Sequence, residues 1–325
     1  GPARGIMHGH GLLGAGNQTS SGGVRVLLER SKMVGFGTDY WGLSESDLSF
    51  LLSGVLSDFG NFDAMGERLM QGTINSLVLM KSFAPGGPCA ELAELQIDVD
   101  DVPQPVLDGD PRYYYGISQG GIMGGTLAAL SDTIDAYVLQ VGAVNYSTLV
   151  RRSLDFVQYD VLMGFSYRRK LDRDWLVVSS QPIWSLAEPD AYASHILRDP
   201  LPGVDISNRR VLFQISRYDT EVSNAASDMA ARDMQLGALD SSVYIPWNVD
   251  AITEDSVASA MVIYRLDDVL PLPLGSVQLT SDNNAHSDLR FQTPVLEQIE
   301  QFARPGGTVV DTCPANSCLL DNERN

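Results

Sequence analysis

The chain has 325 residues, 44% hydrophobic and 19% charged, a composition typical of a globular protein rather than a disordered or fibrous one. Acidic residues outnumber basic ones by 41 to 22, and the resulting net charge of −19 would repel phosphate groups, which excludes nucleic acid as an expected partner. No apolar run approaches the roughly 20 residues that span a bilayer. The longest run, LSFLLSGVL at residues 48–56, is interrupted by serine and glycine and is interpreted as part of the core.

Strand-like and helix-like patterns alternate along the chain, which predicts an α/β fold with a mostly parallel sheet flanked by helices. In chain order the predicted elements are a strand leading into a glycine-rich loop (4–14), a helix (22–32), a strand entering a loop (33–42), a helix (61–83), a loop (85–111), a strand (113–117), a helix (120–130), a strand (136–144), a strand (210–216) followed by a turn and a helix, a strand (259–266) and a final helix (294–302). Residues 1–325 are predicted to form a single domain, with an aromatic-rich cap or lid insert at 146–209 and a C-terminal tail at 303–325. The aspartates of residues 98–110 lack the glycine and spacing of an EF-hand loop, and no metal site is predicted.

The cysteines indicate how the tail is held. Cys313 and Cys318 bracket a short loop, where a disulfide would fix a chain end that otherwise frays; two free thiols are the alternative. Cys89 is left over, either free or paired with another chain. The chain begins with Gly1 and has no signal-peptide pattern, so a disulfide would fit an exported protein whose signal has been removed: secreted, at the cell surface or periplasmic.

The segment YYYGISQGG, residues 113–121, places one serine between glycines directly after a strand-like run. In the pattern G-x-S-x-G the glycines allow a sharp turn between a strand and a helix, and this turn exposes the serine oxygen at the edge of the sheet. Ser118 is therefore the candidate nucleophile. An ordinary turn serine is the alternative.

A serine hydroxyl needs a base, and the base needs a carboxylate to orient it. Of the four histidines, His286 follows the last predicted strand in a polar loop, whereas His195 lies in the insert and is interpreted as a packing residue. Asp219 directly follows the strand at 210–216, at the end of the sheet where sites on parallel sheets form. Glu221, Asp267 and Asp268 compete with Asp219 for this role. An N-cap of the next helix is the alternative role for Asp219.

The segment HGHGLLG, residues 8–14, supplies glycines that let the main chain approach a substrate closely. Backbone N–H groups in such a loop can stabilise the negative charge that develops on a substrate carbonyl oxygen. We expect the N–H of Gln119, the residue after the serine, to be one donor of this oxyanion hole and the N–H of Leu12 to be the second.

At these residues the chain resembles the α/β-hydrolase superfamily, in its serine esterase and lipase branch. The resemblance covers about residues 5–302 and rests on HGHGLLG, GISQGG, the turn at Asp219 and the loop at His286. It implies hydrolysis of an ester or lipid-like small molecule through an acyl-serine intermediate, without a cofactor. The order serine, aspartate, histidine along the chain is the one expected for that fold.

Other interpretations are compatible with the same residues. A peptidase, an amidase or an acyltransferase could use this triad, and a structural or binding protein could retain the fold without activity. Family members usually have further strands before the oxyanion loop. The first strands are therefore expected to be missing from this chain, either supplied by an associated N-terminal fragment of the same precursor or leaving an exposed edge that favours a homo-oligomer.

Overall fold

The structure, a computed structural model, describes residues 2–84, 86–109, 113–273 and 279–324. The strands in this part of the chain are β1 (Arg4–Gly9), β2 (Met33–Phe36), β3 (Gln96–Val99), β4 (Val102–Pro105), β5 (Tyr113–Ile117), β6 (Ala136–Gln140), β7 (Arg210–Ser216), β8 (Ala238–Leu239), β9 (Ala251–Ile252), β10 (Ser256–Val257), β11 (Ala260–Leu266), β12 (Val309–Val310) and β13 (Leu319–Leu320). The α-helices are α1 (Gly22–Ser31), α2 (Leu48–Phe50), α3 (Phe62–Phe83), α4 (Gln119–Leu130), α5 (Tyr146–Val150), α6 (Phe156–Ser166), α7 (Lys170–Ser179), α8 (Gln181–Trp184), α9 (Ser194–Leu197), α10 (Asn224–Met234), α11 (Ala285–Asp288) and α12 (Thr293–Phe302).

The main sheet has the strand order β2-β1-β5-β6-β7-β11-β8-β9, and each neighbouring pair is parallel. Parallel strands need long crossover connections, and the helices between them supply these. The carboxyl ends of β1, β5 and β7 therefore lie at one edge of the sheet. The predicted α/β fold with a mostly parallel sheet is confirmed.

Helices cover both faces of the sheet, as is required because the central strands are buried along almost their whole length. In β5, Tyr114 packs into the hydrophobic cluster formed with α3, α4 and α10. Tyr113 and Tyr115 pack into the cluster on the opposite face, together with α1 and α12. The three consecutive tyrosines thus serve both layers of the core.

The loop predicted at residues 85–111 is only partly a loop, because β3 and β4 form an antiparallel hairpin within it. Its two-residue turn is Asp100-Asp101, and both residues have positive φ (53° and 63°), as a tight hairpin turn requires. The prediction missed this hairpin because Pro103 and Pro105 usually argue against a strand. Asp110 of the acidic segment lies outside the described residues.

The run at residues 48–56 is amphipathic rather than wholly buried. Leu51 and Val55 are buried, whereas Leu48 and Leu52 are 40% and 36% exposed. The interpretation of this run as core is therefore correct for one face only.

Residues 146–209 lie between β6 and β7 and form the short helices α5 to α9. Cys313 and Cys318 are paired in the structure, with their Cα atoms 4.8 Å apart, and β13 pairs with β11 just beyond them. Among the described residues, no helix is both long enough and apolar enough to cross a membrane.

Candidate active site

Ser118 lies on a strained turn between β5 and α4. Its φ of 59° and ψ of −120° are unusual for a residue with a side chain, so the surrounding structure must hold it there. The glycines on either side are required by close packing. A Cβ atom on Gly116 would overlap the carbonyl oxygen of Gly120, and one on Gly120 would overlap the carbonyl oxygen of Gly9.

Two buried tyrosines, Tyr40 and Tyr114, stabilise this turn through linked hydrogen bonds. The hydroxyl of Tyr114 donates a hydrogen bond of 2.6 Å to the carbonyl oxygen of Gly120. The Tyr114 hydroxyl proton is used in this bond, so Tyr40 is the donor in the 2.6 Å bond between the Tyr40 and Tyr114 hydroxyls. The second tyrosine of the YYY run therefore fixes the carbonyl that closes the serine turn.

The predicted base and its carboxylate are in contact. Nδ1 of His286, on α11, lies 2.7 Å from Oδ2 of Asp219, which follows β7. The other oxygen of Asp219 accepts hydrogen bonds of 2.8 Å from the backbone N–H groups of Glu221 and Val222. Asp219 accepts from Nδ1, so a neutral His286 carries its proton on Nδ1 and has its lone pair on Nε2.

Burial by itself would lower the pKa of His286. The charge of Asp219, its hydrogen bond and the charge of Glu221 nevertheless raise the pKa above its usual value of 6.5. The Nε2 atom is buried and has no hydrogen-bond partner among the described residues. The ring is thus oriented at one nitrogen and available at the other.

Ser118 and His286 line the same cavity. Among the described residues the Ser118 hydroxyl makes no hydrogen bond, and this includes Nε2 of His286. Bonds of this kind are often long until substrate is bound. The three residues predicted for the triad therefore lie at one cavity: Ser118 and His286 line it, and Asp219 is hydrogen-bonded to His286.

The backbone N–H groups around Leu12 differ in whether they have a hydrogen-bond acceptor. The N–H of Gly11 donates to Oε1 of Gln18 at 3.2 Å, and that of Leu13 donates to the carbonyl oxygen of Leu43 at 3.0 Å. The N–H of Leu12 has no acceptor in the described part of the chain. The N–H of Gln119, the first residue of α4, is likewise without one, as expected for the first turn of a helix.

His10 shapes this loop. Its Nε2 accepts a 2.8 Å hydrogen bond from the backbone N–H of Tyr40, so the proton lies on Nδ1, which donates to the carbonyl oxygen of Gly11 at 2.7 Å. His8 lies within β1, and its Nδ1 donates to the carbonyl oxygen of Tyr115; burial lowers the pKa of His8 to about 4. Both histidines therefore hold backbone groups in place through hydrogen bonds of their ring nitrogens.

The other candidates named from the sequence lie elsewhere. Asp267 and Asp268 accept hydrogen bonds from Asn322 near the C-terminus. Nδ1 of His195, in the insert, donates to the carbonyl oxygen of Asp199 at 2.6 Å. None of the three lines either cavity at Ser118.

Glu221, considered in the sequence only as a rival to Asp219, lies on the other side of the histidine. Its Oε2 atom is 3.5 Å from Nε2 of His286. Burial, assisted by nearby carboxylates that include Asp155, raises the pKa of Glu221 to about 7, against the effect of His286. Burial also raises the pKa of Asp155. The position of Glu221 two residues after Asp219 hinted at this contact, but no sequence signal pointed to Asp155.

Two cavities meet at Ser118. The first holds about 850 Å³ of space, counted out to its mouth, and is mainly apolar. Its apolar lining comprises Leu12, Leu43, Leu51, Val55, Leu56, Phe59, Phe62, Met65, Ile122, Tyr146, Leu149, Val150, Phe156, Tyr159, Val177, Trp184 and Val222. The second cavity is more polar and contains His286, Gln18 and Arg290. Asp155 and Glu221 line both cavities, which places them at the junction.

No protein-family model and no curated protein sequence matches this chain significantly. Solved structures that resemble it include an acylaminoacyl peptidase of Pyrococcus horikoshii (14% identity, TM-score 0.44, over 81% of this chain and 32% of that one). A 2,6-dihydroxy-pseudo-oxynicotine hydrolase is 13% identical, with a TM-score of 0.46, over 96% of this chain and 64% of that one. Acetyl xylan esterase 1 from Thermoanaerobacterium sp. JW/SL YS485 is 14% identical, with a TM-score of 0.44, over 81% of this chain and 68% of that one. This chain therefore spans 32% of the length of the peptidase and 64% of that of the oxynicotine hydrolase.

The strand order, the parallel pairing and the serine turn between β5 and α4 define the fold class. The chain has the fold of the α/β-hydrolase superfamily. Likeness at these levels of identity concerns the fold, and the reaction has to be inferred from the site itself.

Proposed function

We propose that this protein is a serine hydrolase that cleaves carboxylic esters through an acyl-serine intermediate. The observation that carries the proposal is the buried His286, which lines the same cavity as Ser118, is held at Nδ1 by Asp219 and has no hydrogen bond at Nε2 within the described residues. The strained turn at Ser118 adds support, because strain of this kind persists where function needs it.

In the first step Nε2 of His286 takes the proton of Ser118 while the serine oxygen bonds to the ester carbonyl carbon. The carbonyl oxygen becomes an oxyanion, which accepts hydrogen bonds from the N–H groups of Leu12 and Gln119. The bond to the alcohol oxygen then breaks, and that oxygen receives the proton from His286. In the second step water loses a proton to His286, attacks the acyl carbon and releases the acid, and the proton returns to Ser118.

The two cavities take the two halves of the ester. Since His286 has to reach the leaving oxygen, the alcohol part extends into the cavity that contains His286. The acyl part then occupies the apolar cavity. Burial of apolar surface contributes about 25 cal/mol per Å², so an apolar acyl group would bind there more tightly than an acetyl group.

The test is labelling with a fluorophosphonate probe, followed by peptide mapping, together with hydrolysis of a p-nitrophenyl ester. We expect an adduct on Ser118, and we expect Ser118→Ala to lower kcat by about 10⁴-fold or more. Ser166→Ala, at an exposed position on α6, is the matched control and should retain activity. A folded chain that takes no label and hydrolyses no ester would favour a binding protein instead. Faster cleavage of the matched amide would favour a peptidase or amidase.

A further inference from the structure

The carboxylates at the junction of the two cavities have no basic partner. Within the described residues neither Asp155 nor Glu221 forms an ion pair with a lysine or arginine, and the only cationic group in contact with Glu221 is the ring of His286. Both carboxylates are partly buried, which disfavours their charged forms, and the charge of Asp155 further raises the pKa of Glu221. An added positive charge would relieve this repulsion.

The position of Glu221 defines which part of a substrate would lie beside its carboxylate. Its side-chain oxygen lies 3.5 Å from Nε2 of His286, the atom that delivers the proton to the leaving oxygen. A group one or two carbons beyond that oxygen therefore comes within reach of Glu221, and Asp155 lines the same junction of the two cavities. The backbone N–H of Glu221 is fixed by its hydrogen bond to Asp219, so this carboxylate is carried on an ordered turn.

Other features of the cavity fit an ammonium group. Tyr159 lines both cavities, and aromatic rings attract alkylammonium ions. His286, whose buried Nε2 has no hydrogen-bond partner in the described part of the chain, lines the polar cavity together with Glu221 and Asp155. Arg290 lines only the polar cavity and is absent from the junction.

We propose that the alcohol half of the substrate carries a positive charge, an ammonium group close to the ester oxygen, which Glu221 and Asp155 bind at the junction of the two cavities. This inference rests on the proposed ester hydrolysis for its place in the reaction. The binding of the cation itself does not depend on turnover.

The first experiment measures binding without chemistry. Calorimetric titration compares choline with 3,3-dimethylbutan-1-ol, its uncharged carbon isostere, on the wild-type chain at a pH well above 7. We expect choline to bind at least about tenfold more tightly, since each factor of ten corresponds to about 1.4 kcal/mol. Glu221→Gln should abolish most of this preference. Glu254→Gln, which removes one negative charge at an exposed position, should leave it unchanged.

The second experiment measures turnover of the two esters made from these alcohols with one common acyl group. The readout is the ratio of their kcat/KM values, so a general loss of activity in Glu221→Gln or Asp155→Asn cancels. We expect the ratio to favour the cationic ester and to fall towards one in both variants.

The preference for the cationic ester should depend on pH in a defined direction, because it follows the ionisation of Glu221. Glu221 faces His286, Asp155, Asp219 and Asp282, with Arg290 in the same cavity, and it attracts a cation only when ionised. The preference for the cationic ester should therefore rise as pH increases through about 7.

The two proposals fail in different ways. Equal binding of the two alcohols, or a preference for a leaving group with a carboxylate through Arg290, would overturn the cation site. Absence of turnover of both esters together with selective binding of choline would contradict ester hydrolysis and leave the cation site supported.

Discussion

Single atoms at His286 decide what this site can do. Nδ1 is held by a carboxylate that is itself fixed by two backbone N–H groups, and Nε2 has no hydrogen-bond partner among the described residues. A buried imidazole alone would be a weak base, because burial disfavours its charged form. The carboxylate of Asp219 reverses that effect, and the pKa of His286 rises above its ordinary value.

Replacing Asp219 by asparagine should lower kcat by about 10⁴-fold, because the amide no longer favours the tautomer with the proton on Nδ1. The pH profile provides a second readout. The base is active when neutral, so kcat/KM rises with pH through the pKa of His286, and the raised pKa places that rise above 6.5. In Asp219→Asn the rise should shift to lower pH. Asp267→Asn is the control, because Asp267 interacts with Asn322, and it should retain the wild-type profile.

At the scale of secondary-structure elements, the turn between β5 and α4 depends on how closely two backbones approach. The beginning of α4 packs directly on the end of β1, and only a residue without a side chain fits at Gly120. The same contact brings Gln119 and the loop after β1 together. The serine turn and the loop containing Leu12 are thus assembled by one packing contact.

Gly120→Ala should therefore destabilise the protein by about 2 kcal/mol or more, because the added methyl group meets rigid backbone rather than a movable side chain. Thermal unfolding and ester hydrolysis measure the two effects, and activity should fall even at temperatures where the variant is folded. Gly164→Ala on α6 is the matched control, since its Cβ would lie no closer than 3.8 Å to Arg173. A Gly120→Ala variant with wild-type activity would contradict the close-packing explanation.

Whole-molecule architecture creates the apolar cavity. Its lining comes from five distant parts of the chain: the loop after β1, residues 43–65, the start of α4, the insert between β6 and β7, and the turn after β7. Neither the insert nor the run at 48–56 could form such a cavity alone. Packing of both over the carboxyl ends of the strands produces a recess beside Ser118.

Val55→Phe should fill part of this cavity, because Val55 is fully buried and lines it. We expect kcat/KM for an octanoyl ester to fall by about tenfold or more, with a much smaller change for the acetyl ester, as one or two lost contacts in an apolar pocket have effects of this size. Val78→Phe, at a position on α3 that is 60% exposed, is the matched control. An equal loss on both esters would place the acyl group elsewhere.

Much of this organisation is local and can be read from the sequence. The main helices and long strands follow from apolar periodicity, which acts over a few residues. Ser118 is marked by its own neighbours, since the glycines that the turn needs are adjacent to it in the chain. Chain order was enough to select His286 and Asp219, because residues that follow parallel strands gather at one edge of the sheet.

Contacts between distant segments are decided only by the tertiary structure. The two-residue strands β8 and β9 have no periodicity of their own, and Pro103 and Pro105 conceal the hairpin of β3 and β4. Nothing near Asp155 in the chain indicates that it lies close to His286. Local periodicity and neighbouring glycines therefore determined the main elements and singled out Ser118 as the candidate nucleophile. The charge beside His286 and the shape of the cavities depended on packing between distant segments, such as those of Asp155 and His286, and such packing leaves no local signal in the sequence.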